Sequence, residues 1–176
     1  MIADLLINLA VILGLFIIHE TGHYLAGRII GIPGNHMNIQ LLALPPHVAL
    51  SGKDGGWISP ADHEQFINRL SDFSSEAWRD YVFVAGGHAT ELLVVLGITA
   101  AALFTGSGIL LQSAKLFVFF SLMLSAIYLL IDVFHTFKYR YPSGDFSGQW
   151  MISKGITLLF YLSYFGVLAA ILILVS

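Results

Sequence analysis

The sequence predicts an all-α integral membrane protein with about four transmembrane helices and a cytoplasmic loop that carries short strands and an amphipathic helix. Three observations predict it. Hydrophobic residues make up 57% of the 176 and charged residues only 11%, against about 25% charged in an ordinary globular protein. Mean hydropathy is +0.81, so the chain has too little charge to cover a water-facing surface. Its apolar residues fall into four long segments, at roughly 5–30, 81–104, 110–137 and 152–175. The last holds an uncharged run of 20, Ile156 to Val175, which is long enough to cross a hydrocarbon core of about 30 Å. The whole chain, 1–176, reads as one membrane-embedded domain without internal repeats.

Segment one has no basic leader, since only Asp4 is charged before His19, and no small-residue cleavage site follows it. It therefore reads as a retained membrane helix. Gly22 with Ala26, and Gly27 with Gly31, form small-xxx-small pairs that would admit a close neighbouring helix. The loop at 31–80 is rich in Gly, Pro and Asn. Within it, Met37 to Leu50 is apolar and broken by Pro45-Pro46, which suggests short strands or a segment dipping into the interface. Ser59-Pro60-Ala61-Asp62 reads as a helix start with Pro at the first helical position, and Phe66, Ile67, Leu70 and Phe73 then share one face. Gly106-Ser107-Gly108 reads as a tight turn between segments two and three. Residues 138–149 form the second polar loop.

The basic residues give the orientation. Arg28, Lys53, Arg69, Arg79, Lys138, Arg140 and Lys154 lie in or beside the two loops, and Lys115 alone lies near the opposite face. Four crossings put both loops on one side, which the positive-inside rule makes cytoplasmic. Both termini are then expected outside. Trp57, Trp78, Tyr81, Tyr139, Tyr141 and Trp150 cluster towards the loop side, as an interfacial belt does. No run of Lys or Arg offers a nucleic-acid footprint. With no cysteine, any metal must be held by imidazole and carboxylate.

Segment one contains such a pattern. His19-Glu20-Thr21-Gly22-His23 is an HExxH sequence. On a helix the two imidazoles stack on one face about 6 Å apart along the axis, where one tetrahedral zinc can take both. Glu20 lies beside them as the general base towards a water. Random placement of this composition would produce the pattern about 0.6% of the time. Two polar residues with no task would also be costly in an apolar helix. Counting from Leu5, His19 should lie roughly 10 Å below the cytoplasmic face of the core.

A catalytic zinc takes a third protein ligand and keeps one position open. Topology requires that ligand to come from the loop side, where Asp145, His88, Glu91, Asp132 and His135 all qualify. His36, His47 and His63 read as solvated loop histidines.

The order of motifs resembles the site-2 protease family of intramembrane metalloproteases. His19-Glu20-Thr21-Gly22-His23-Tyr24-Leu25-Ala26 resembles its HExGHxxA helix, and Ala85-Gly86-Gly87-His88-Ala89-Thr90 resembles its AGPxxN helix start. Gly144-Asp145-Phe146-Ser147-Gly148 stands where the family carries an Asp-Gly motif. The chain departs in carrying Gly87 for Pro, Thr90 for Asn and Phe146 after the aspartate, and Tyr141-Pro142 only partly echoes an Asn-Pro stretch. These differences mark a divergent branch.

The resemblance implies one zinc per chain on His19, His23 and Asp145, with Glu20 catalytic. It also implies hydrolysis of a peptide bond in or near a transmembrane segment. Asp145 suits the role because a carboxylate is favoured near a helix N-terminus. Asp132 and His135, three apart, read first as an interfacial helix end, and otherwise as a substitute ligand or an outer carboxylate for an imidazole. His88 and Glu91 would line the cleft, stabilise an oxyanion or pair with neighbouring helices. The expected partners are a membrane-protein substrate and the bilayer. No regulatory domain is legible in the 176 residues, which leaves substrate choice to unnamed partner proteins. A zinc hydrolase of a lipid amide and a non-enzymatic metal-binding membrane protein are the rival classes.

Overall fold

The structure is a computed structural model that describes residues 2–73, 76–142 and 144–176. It contains the helices α1 (Ile2–Ile29), α2 (His63–Phe73), α3 (Ala77–Thr105), α4 (Gly108–Tyr139), α5 (Asp145–Ile152) and α6 (Lys154–Val175). A short 3-10 turn at Gly34–His36 leads into three strands, β1 (Met37–Gln40), β2 (His47–Ser51) and β3 (Trp57–Ile58). Helices α1, α3, α4 and α6 are each long and apolar enough to cross a bilayer. The chain is thus an all-α, multi-pass membrane protein apart from a small antiparallel sheet.

Helix faces turned away from the bundle are aliphatic and aromatic. Leu93, Phe104, Leu130, Leu162 and Ile173 are all exposed. In water such a surface would be unfavourable, whereas hydrocarbon carries no such penalty. The inward faces make a core of Val95, Ala114, Val118, Leu168 and Ile171 among α3, α4 and α6. A second core of Ile30, Ile32, Met37, Leu50, Leu70 and Phe83 lies where the sheet and α2 meet the loop ends of α1 and α3.

Helices α1 and α3 touch backbone to backbone. A Cβ added at Gly22 would lie 2.3 Å from the Gly86 carbonyl oxygen, and one at Gly86 would lie 2.5 Å from the Ala26 Cβ. The Gly22/Ala26 pair therefore does admit a helix. Of the second pair, Gly27 faces both Met37 of β1 and Phe83 of α3, since a Cβ there would lie 2.3 Å from the Met37 sulfur and 3.2 Å from the Phe83 ring, whereas Gly31, with φ of +102°, ends the helix.

The turn at Gly106-Ser107-Gly108 is as expected. Gly106 is left-handed and returns its N–H to the Ala102 carbonyl, and Ser107 accepts from the Leu110 N–H to cap α4. Strand β1 pairs along its whole length with β2, Met37 opposite Leu50 through Gln40 opposite His47. Strand β3 pairs with β2 only at Leu50 and Ser51. Among the described residues no strand pairs with that side of β2 at His47, Val48 and Ala49, although Val48 and Ala49 are buried.

Two expectations need correction. The helix predicted from Ser59-Pro60 begins later, at His63. Ser59 instead closes a turn, its hydroxyl accepting from the Ala61 N–H and its carbonyl from the Asp62 N–H. The loop predicted at 138–149 contains the start of a separate short helix, α5, which runs to Ile152, so the last span starts at Lys154.

Candidate metal centre

Helix periodicity sets the first two donors. His19 and His23 stand on one face of α1, with their Nε2 atoms 3.2 Å apart. Asp145, the first residue of α5, brings Oδ2 to 3.0 Å from His19 Nε2 and 3.2 Å from His23 Nε2. Among the described residues, His19, His23 and Asp145 form a group whose ligand atoms all lie within 4.8 Å of one another.

The far side of each ring tests whether a cation fits there. His23 Nδ1–H donates to the Phe83 carbonyl oxygen at 2.9 Å. His19 Nδ1–H points to Glu91 Oε2 at 3.4 Å. When Nδ1 carries the proton, Nε2 carries a lone pair. Two lone pairs and a carboxylate oxygen then converge with no proton among them, an arrangement that calls for a positive charge at the centre. Gly87 supplies the space: a Cβ there would lie 2.5 Å from His19 Nε2 and 2.6 Å from His23 Nε2. Two imidazoles and a carboxylate suit zinc.

Asp145 is set in place by Asp132. One Asp132 oxygen accepts the Ser147 N–H at 2.8 Å, and the other accepts the Ser147 hydroxyl at 2.6 Å and the Thr136 hydroxyl at 3.2 Å. These bonds pin the first turn of α5 to α4. Gly144 permits the approach, because a Cβ there would lie 2.9 Å from the Asp132 carboxyl carbon. Among the described residues, Asp132 thus bonds Ser147 and Thr136 rather than the metal-ligand cluster or an imidazole, which corrects both expected roles. Asp132→Ala should remove both bonds that tie Ser147 to α4, at a local cost of about 1–3 kcal/mol. Zinc retention in a chelator challenge should fall although every ligand remains. Wild-type retention would show that Asp132 does not hold Asp145.

His135 also leaves the candidate set, because its ring packs on Tyr139 at 4.4 Å and Tyr141 at 5.3 Å. His88 is buried beside the centre. Its Nδ1 is 3.3 Å from Asp145 Oδ2 and its ring lies edge-on to His19, Tyr161 and Tyr164. The loop histidines are less solvated than expected. His36 bonds the Ser51 hydroxyl and packs on Phe73, while His47 and His63 border the same cavity as the metal centre.

That cavity has a volume of about 320 Å³ and lies between α1, α4, α5 and the sheet. Leu15, Phe16, Leu124 and Tyr128 give it apolar walls, and His19, Glu20, His23, His88 and Asp145 form its polar part. Glu20 is 6% exposed, and its carboxylate makes no hydrogen bond or ion pair among the described residues. It is therefore free to act on a guest in the cavity.

Sequence reading missed Gly87 as the space-maker, the Phe83 carbonyl as a partner of His23, and α5. Only Glu91 had a signal, as an acidic residue in an apolar helix.

The fold and the site define a class: a four-span membrane protein with a two-histidine, one-aspartate cluster beside a largely apolar cavity. The chain matches no family model, and no curated protein and no solved structure is significantly similar to it.

Proposed function

We propose that the protein is an intramembrane zinc metalloprotease of the site-2 protease type, which cleaves a peptide bond in or near a transmembrane segment of a membrane-protein substrate. The observation that carries this reading is the convergence of three acceptor atoms at 3.0–3.2 Å, beside an unpaired buried glutamate and a cavity with apolar walls.

His19, His23 and Asp145 would hold one zinc per chain. Bound there, zinc would polarise the scissile carbonyl and lower the pKa of a coordinated water. Glu20 Oε takes the proton of the attacking water and delivers it to the leaving amine nitrogen. Leu15, Phe16, Leu124 and Tyr128 exclude bulk water and receive apolar side chains of the substrate. A substrate helix must unwind before its amides can be reached. His47 and Val48 line the cavity on the side of β2 that β3 does not pair, where an extended substrate segment would find backbone partners. Seven of the eight basic residues flank the site's side of the bilayer, which makes that side cytoplasmic and both termini external.

The test is hydrolysis by the purified full chain in liposomes containing candidate single-span proteins. Cleavage in or near the span should stop with a zinc chelator and return with zinc. Cleavage indifferent to chelation would overturn the metal mechanism. Hydrolysis of lipid amides alone would make the enzyme a lipid hydrolase, and bound zinc without hydrolysis of either would make it a metal-binding protein.

A further inference from the structure

We infer that Glu91 is a positioning residue for the metal centre, and that a hydrogen-bond chain through Ser121, Tyr164 and Ser125 holds it in place inside the bundle. The inference rests on the metal-binding part of the proposed function and is independent of the peptidase part.

Glu91 lies in mid-α3, buried in a membrane-spanning helix. An acidic side chain there is costly unless it is partnered. Its two oxygens are used differently. Oε2 faces His19 Nδ1 at 3.4 Å. Oε1 accepts the Ser121 hydroxyl of α4. With its proton committed to Glu91, Ser121 can only accept from the Tyr164 hydroxyl of α6, 3.1 Å away. Tyr164 has then used its proton, so Ser125 must donate to it across 2.9 Å. Ser121, Ser125 and Tyr164 are all buried. Each donor points towards the carboxylate, and such chains strengthen cooperatively.

Ordering the carboxylate orders the ring beside it. A carboxylate on Nδ1 selects the tautomer with a lone pair on Nε2, turns that lone pair to the centre and raises its donor strength. His23 receives the same service from the Phe83 carbonyl. Glu91 therefore decides the state of the one imidazole whose outer partner is a side chain, and two other helices, α4 and α6, fix Glu91.

The experiment compares wild type, Glu91→Gln, Glu91→Leu and Ser121→Ala as purified full-length chains in detergent. Zinc affinity is read by chelator competition, and the visible absorption of the cobalt-loaded protein reports donor geometry. Glutamine keeps an oxygen for His19 Nδ1–H and should weaken zinc about 10-fold, whereas leucine should weaken it about 100-fold. Ser121→Ala leaves Glu91 in place but unanchored, and should fall between wild type and leucine with a shifted cobalt band. Wild-type affinity and band in Glu91→Leu would overturn the inference. If that variant does not fold, unchanged affinity and band in both Glu91→Gln and Ser121→Ala would overturn it equally. Wild-type protein that takes up neither zinc nor cobalt would instead overturn the metal site itself.

Discussion

Glu20→Gln should leave zinc bound and stop hydrolysis, with turnover falling by at least about 10²–10⁴-fold, the span assigned to a positioned general base. The size of the effect follows from where Glu20 sits. It faces the cavity from the same helix as both histidines and makes no contact with them that fixes their rings. Those rings are fixed from behind, by Phe83 and Glu91. Glutamine has nearly the same shape but cannot take up a proton at neutral pH. Zinc content, measured by elemental analysis, should stay at about one per chain while product formation on a cleavable single-span substrate disappears. Normal turnover by this variant would remove Glu20 from the mechanism. Loss of zinc as well would mean that its carboxylate is part of the metal site.

Gly87→Ala should have the opposite signature, losing the proposed metal and keeping the base. The added methyl group would lie 2.5–2.6 Å from both Nε2 atoms, on the side to which their lone pairs turn. To relieve the clash α3 would have to move away from α1, which would break the close packing of Gly86 on Gly22 and Ala26. The loss of zinc affinity should exceed the roughly 10–100-fold that loss of an outer-sphere partner costs. Gly97→Ala in the same helix is the control, because a Cβ there meets nothing within 4 Å. It should retain zinc and fold at least as well, as alanine favours helix over glycine. Wild-type zinc affinity in Gly87→Ala would mean that the cation does not sit between the imidazoles.

The four spans were legible because a bilayer leaves a crude signal, about 20 apolar residues in a row. Segments predicted at 81–104 and 110–137 correspond to Ala77–Thr105 and Gly108–Tyr139. The pair His19 and His23 was legible because helix geometry converts a spacing of four into a shared face. Helix α5 was not, because its eight residues, Asp145–Ile152, are too short for periodicity to declare a helix. The same limit hid the role of Asp132, which acts across chain segments on Ser147.

Local chain properties thus settle the class of molecule, the number of crossings, the side on which the ionisable residues gather and the register of the two imidazoles. They depend on hydropathy and on spacing within one helix, which neighbours barely alter. Which of five loop-side candidates meets those imidazoles is a different kind of fact. It depends on how α3, α4 and α5 pack against α1, through contacts such as Gly22 on Gly86 and Asp132 on Ser147. That packing places Asp145 at the centre, Glu91 behind His19 and Asp132 away from both. Contacts between residues distant in sequence leave no periodic trace along the chain, so they become visible only once the helices are assembled.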